Sequence, residues 1–160
     1  MSVLNFTPQT GIQKVGDDFD VFVMVDGTDA INAVGVEIVF NGAILSVVNV
    51  DYLGSPFTIQ AEETITSGQV RLFRALPGGN SLVGQGRVAI IRFKALAEGT
   101  AILTFTPNCE VLRFADAANV LGATMNGVYS VMKAGPCSRA DLNASISALQ
   151  TSVNDLEAVL

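Results

Sequence analysis

GRVAIIRFKALAEGTAILTFT, residues 86–106, decides how this chain is read. Ala89, Ile91, Phe93 and Ala95 occupy alternate positions, with Arg92 and Lys94 between them. A strand with that pattern turns an apolar face to a core and its charges to water. Glu98-Gly99 then breaks the run, and residues 100 to 105 resume a strand composition. Two strands separated by turn-forming residues make this part of the chain β-structure.

The same grammar extends outward in both directions. Val36, Ile38 and Phe40 share a face, and Asn41-Gly42 supplies the turn before the next run. Strands are predicted at 3–6, 19–25, 33–40, 44–50, 57–60, 69–75, 87–95, 100–105, 109–114 and 127–132, nearly all separated by Gly, Pro, Asn or Asp turns. About nine short strands without an internal helix predict an all-β sandwich or jelly roll. Phe19 to Val25 is apolar at almost every position, which fits a central strand covered on both faces or part of a contact surface.

Composition narrows the function. The chain has 160 residues, enough for one domain and an appendage. Apolar residues make up 49% and charged residues 15%, and mean hydropathy is +0.46. So apolar a surface implies association with other proteins. A formal net charge of -6 without a basic cluster disfavours nucleic acid and anionic membranes as partners. The opening MSVLNFTPQTG lacks the basic flank and the apolar core of about 7 to 15 residues that mark a secretory signal, so no signal peptide is visible, and no stretch approaches a membrane span. Cys109 and Cys137 could close one loop by a disulfide, but two cysteines do not make a stapled secreted scaffold.

From Gly135 the period changes. Leu142, Ile146, Leu149, Val153, Leu156 and Leu160 are spaced 4, 3, 4, 3 and 4 apart, a heptad seam with Ile146, Val153 and Leu160 at a and the leucines 142, 149 and 156 at d. Ser138 followed by Asp141 caps the start of a helix just after Pro136. The stripe must be covered, either by folding back on the sandwich or, as the regular heptad favours, by copies of itself in a dimer or trimer. β-branched residues at a with Leu at d lean towards two strands. The expected organisation is a sandwich over 1–134, then a linker and coiled-coil helix over 135–160.

Residues of roughly 10 to 132 resemble a cohesin domain, the β-sandwich of cellulosomal scaffoldins and of non-cellulosomal surface proteins. The resemblance is carried by VGDDFDVFVMVDG (15–27), VGVEIVFNGAILSVVNVDY (34–52), GRVAIIRFKALAEGTAILTFT (86–106) and GVYSV (127–131). The family usually places Asp-Pro in the turn that is Asn41-Gly42 here. The resemblance implies a protein-binding module that meets a dockerin through a sheet face, although no motif of that face maps onto particular residues of this chain. The tail lies outside it and looks more like the stalks of phage fibres and decoration proteins.

Catalysis finds no support. The chain has no His and no Trp, no nucleophile elbow, no phosphate loop and no Cys pair at metal spacing. Asp17, Asp18 and Asp20, or Asp26 and Asp29, could offer oxygens to Ca²⁺ but match no dedicated loop. Glu62 and Glu63 are adjacent, hence on opposite faces of a strand, and unsuited to paired acid–base work. The expectation is a non-enzymatic structural or adhesive protein without a cofactor: an oligomeric component of a virion (decoration, fibre or neck protein) or of an extracellular surface filament, binding other structural proteins of its assembly. The alternatives are an exported cohesin module for a dockerin-like partner and a carbohydrate-binding module.

Overall fold

The computed structural model describes residues 1–133, 135, 143 and 146–151. Among them are twelve strands: β1 (Ser2–Thr7), β2 (Thr10–Lys14), β3 (Asp18–Gly27), β4 (Ile31–Val39), β5 (Leu45–Asp51), β6 (Ile59–Thr66), β7 (Gln69–Ala75), β8 (Gly86–Ala95), β9 (Gly99–Phe105), β10 (Glu110–Arg113), β11 (Leu121–Thr124) and β12 (Gly127–Met132). They form a five-stranded sheet, ordered β11-β1-β3-β8-β5, and a second sheet ordered β2-β12-β9-β4-β7-β6 with β10 also paired to β4. The architecture is an all-β sandwich, as the alternating pattern predicts.

One core lies between the sheets. Val21, Val23, Ile91 and Phe93 enter it from the five-stranded sheet, and Val36, Ile38, Leu72, Leu103 and Tyr129 from the other. The alternation read at 86–95 is therefore the real one: Ala89, Ile91, Phe93 and Ala95 are buried, while Arg92 and Lys94 are exposed. Aromatic rings lock the layers together, Phe6 stacking on Phe105 at 4.3 Å and Phe40 meeting Phe93 edge-on at 5.2 Å. β3 is central, between β1 and β8, but only one of its faces is fully covered. On the other, Phe22 and Met24 are half-buried.

The ten expected stretches each overlap a strand, and two strands, β2 and β11, fall outside them. β2 and β11 escape the sequence reading because TGIQK and LGAT have no apolar alternation, and their places come from parallel pairing with β12 and β1. Phe57 does not start a strand. It sits fully buried in the loop before β6, and its carbonyl accepts a bond from Arg74 Nε at 3.0 Å.

In the tail, Asn143 and residues 146–151 are helical, and the Thr151 hydroxyl donates to the Ser147 carbonyl at 3.0 Å. Ile146 and Leu149, one a and one d position, are exposed. Leu142, Val153, Leu156, Leu160 and Cys137 lie outside the described residues. No helix among the described residues is long and apolar enough to cross a membrane.

Candidate protein-interaction face

The outer face of the larger sheet divides into two halves of different chemistry. Over β4, β7 and β6 it is polar and built around Glu37. This residue falls on the outward side of its strand, opposite Val36 and Ile38, yet it is only 8% exposed. Its Oε1 accepts from the Thr106 hydroxyl at 2.8 Å and from Asn108 Nδ2 at 3.0 Å, and its Oε2 lies 3.9 Å from Arg71 Nε. These donors, Thr106 first and Asn108 next, hold the carboxyl below its ordinary range despite burial. Arg71 continues the row to Glu62 Oε1 at 3.3 Å.

The turn that supplies the donors is pinned to the same residue. The Glu37 amide donates to Cys109 Sγ at 3.2 Å, Sγ lies 3.4 Å from the Glu37 carbonyl, and the Thr106 amide donates to that carbonyl at 2.9 Å. Cys109 is thus a buried thiol, pushed up in pKa by burial. The proposed bridge to Cys137 involves a residue outside the described set. Beside Glu37, Gly35 leaves room for a ring: a Cβ there would stand 3.0 Å from both Phe73 Cδ2 and Glu110 Cγ. The centre of this half consequently bears the Phe73 ring over Gly35, with alternating charges at Glu37, Arg71 and Glu62.

At the β5–β6 end a second polar group closes the sandwich. Arg74 is 4% exposed, donates to the Phe57 carbonyl and to Gln60 Oε1 at 3.0 Å each, and stacks 3.6 Å from the Tyr52 ring centroid. The Tyr52 hydroxyl donates to the Glu63 carboxylate, and burial followed by that neighbour raises its pKa. Glu62 and Glu63 do point to opposite faces, one to Arg71 and one to Tyr52.

The other half of the face, over β2, β12 and β9, carries no carboxylate and exposes Ile12, Ile102, Val128 and Met132 among Thr and Ser side chains and Lys14. Composition implies an apolar surface, and strand pairing places part of it here. The five-stranded sheet, by contrast, pairs its outward charges within itself: Asp20 takes Arg92 bidentately at 2.7 and 3.0 Å, Asp18 lies 3.7 Å from Lys94, and Arg87 covers the Phe22 ring at 4.6 Å. Asp17 accepts the Lys14 amide, and Asp29 faces Arg113 and the Met1 amine. Asp17, Asp18, Asp20 and Asp29 thus have cations or backbone as partners, and no cluster able to hold a metal occurs among the described residues. Among those residues Phe114 is the only exposed aromatic ring, so no aromatic row for sugar stacking is present.

No protein-family model matches the chain, and no curated protein sequence matches it. The similarity lies in the fold. The seventh ScaB type I cohesin from Pseudobacteroides cellulosolvens superposes with a TM-score of 0.70 at 17% identity, over 86% of this chain and 96% of that one. A non-cellulosomal cohesin from the hyperthermophilic archaeon Archaeoglobus fulgidus gives 0.68 at 16% identity, over 82% and 91%. The third ScaB cohesin of R. flavefaciens, solved in complex with a group 1 dockerin, gives 0.65 at 23% identity, over 82% and 94%. The sandwich is therefore a cohesin-like β-sandwich, and the sequence resemblance is upheld at the level of fold.

Proposed function

We propose that this chain is a non-enzymatic protein-binding module of an extracellular or surface scaffold, and that the polar half of its larger sheet takes a dockerin-like partner. The observation that carries this is the row Glu37, Arg71, Glu62 beside Phe73. It is a pre-ordered charge row beside one aromatic ring on the outer side of a β-sheet, with an Arg, a residue type enriched at binding hot spots, at its middle. The cohesin-like fold supports the reading, since solved relatives of that fold were captured with dockerins. Calorimetric titration of the full chain with a panel of Ca²⁺-loaded dockerins tests it. At least one should bind, and Arg71→Glu should weaken that binding by about 30-fold or more, the loss typical of a central charged anchor. Failure of every dockerin to bind would reject the dockerin-like partner.

A second reading rests on the heptad over 142–160: an oligomeric component of a virion or surface filament, its copies joined by the tail as a dimer or trimer. Leu149→Asp with Leu156→Asp would bury charges without counter-ions at several kcal/mol each. Sedimentation equilibrium should then show the monomer mass, and an unchanged oligomer would reject the seam.

A further inference from the structure

We infer that the apolar half of the larger sheet, over β2, β12 and β9, is where two copies of this chain meet face to face. Ile12 is 72% exposed, Met132 57%, Ile102 48% and Val128 39%. They are neighbours: Val128 is paired directly with Ile102, and Ser130, paired with Ile12, lies between Val128 and Met132 on the same side of β12. The patch thus surrounds Ser130.

Charge selects the occupant. The chain carries a formal net charge of -6, so two copies repel wherever their carboxylates approach. β2, β9 and β12 contain no Asp or Glu, and Lys14 is their only charge. This is the part of the sheet where like-charged copies can come together at least electrostatic cost. The polar half, with Glu37, Glu62 and Glu110, is not.

The course of the chain points the same way. β12 ends at Met132, inside the patch, and residues 133 to 138 lead to the predicted helix start, a reach of at most about 20 Å. Copies joined through the heptad tail would hold their sandwiches near one another at an effective concentration on the order of millimolar. Four apolar side chains fall short of the roughly 1,200 Å² that a free-standing interface needs, but a tethered contact requires less. A two-stranded coil places its heads about a two-fold axis, and a two-fold contact is self-complementary, which this small patch can be, with Lys14 beside Met132 at its edge. The inference rests on the oligomeric reading of the tail and is independent of the dockerin reading.

The test is site-directed cross-linking in the full chain with Cys137→Ser, in which the remaining Cys109 is buried. Ser130→Cys, at the patch centre, should form a disulfide dimer under mild oxidation in at least 10-fold higher yield than Thr64→Cys on the polar half. Equal yields at the two positions would mean that the tether alone brings the thiols together. No cross-link at Ser130→Cys would mean that the faces do not touch. Either result overturns the inference, and neither bears on whether a dockerin binds.

Discussion

Glu37 shows how much a single residue depends on its neighbours. As one charge within VGVEIVF it would be costly to bury, and three groups from distant parts of the chain make the burial tolerable. Thr106→Val removes one donor while keeping shape, and should cost about 1 to 2 kcal/mol in chemical denaturation, because the carboxylate stays buried with one partner fewer. The pH response follows from the lowered pKa. Since the folded chain favours the ionised form below its ordinary 4.5, this contribution is complete above about pH 4.5 and is lost as pH falls through the lowered folded value. The melting temperature should therefore drop on acidification from about pH 5 to about pH 3, and drop less in Glu37→Gln. Equal slopes in the two proteins would remove Glu37 from the acid response.

At the scale of elements, β12 is the strand on which the sandwich and the tail divide. Tyr129 and Val131 are buried in the core, the Tyr129 hydroxyl donates to the Pro8 carbonyl at 2.5 Å, and the strand is hydrogen-bonded on both sides, to β9 and β2. Its outward residues and the described helical residues Ile146 and Leu149 remain exposed. Truncation after Lys133 should thus leave the β circular-dichroism spectrum and a cooperative melt intact while lowering the mass to that of a monomer. Unfolding of the truncated chain would show that the tail completes the core. A persistent oligomer would show that the sandwich faces suffice.

For the whole molecule, the two halves of the larger sheet respond oppositely to salt. Association of copies works against the net charge, so screening favours it; the Debye length falls from about 30 Å at 0.01 M to about 10 Å at 0.1 M. Raising the salt from about 0.01 M to about 0.1 M should shift the monomer–oligomer equilibrium towards the oligomer in sedimentation velocity. Partner binding through Arg71 and its flanking carboxylates should weaken over the same range. If self-association also weakened, charge attraction between copies would be holding the assembly, against the carboxylate-free contact inferred here.

Much of the sandwich was legible in the sequence because its cues are local. Period-two alternation at 86–95, the Val36–Ile38–Phe40 face and the Asn41-Gly42 and Glu98-Gly99 turns need only a few consecutive residues to be read. The heptad of the tail is equally local, a regular stripe from Leu142 to Leu160 visible in spacing alone. The candidate site was not legible. Glu37 reads as a solvent-side charge until strand pairing brings Arg71 beside it and the 106–109 turn folds over it. β2 and β11 likewise take their structure from partners more than a hundred residues away in the chain. The sequence by itself determined the class of fold and the presence of an apolar surface. Tertiary structure alone decided which half of the sheet is apolar, which is charged and which charges are already satisfied, because each depends on pairings between residues far apart in the chain.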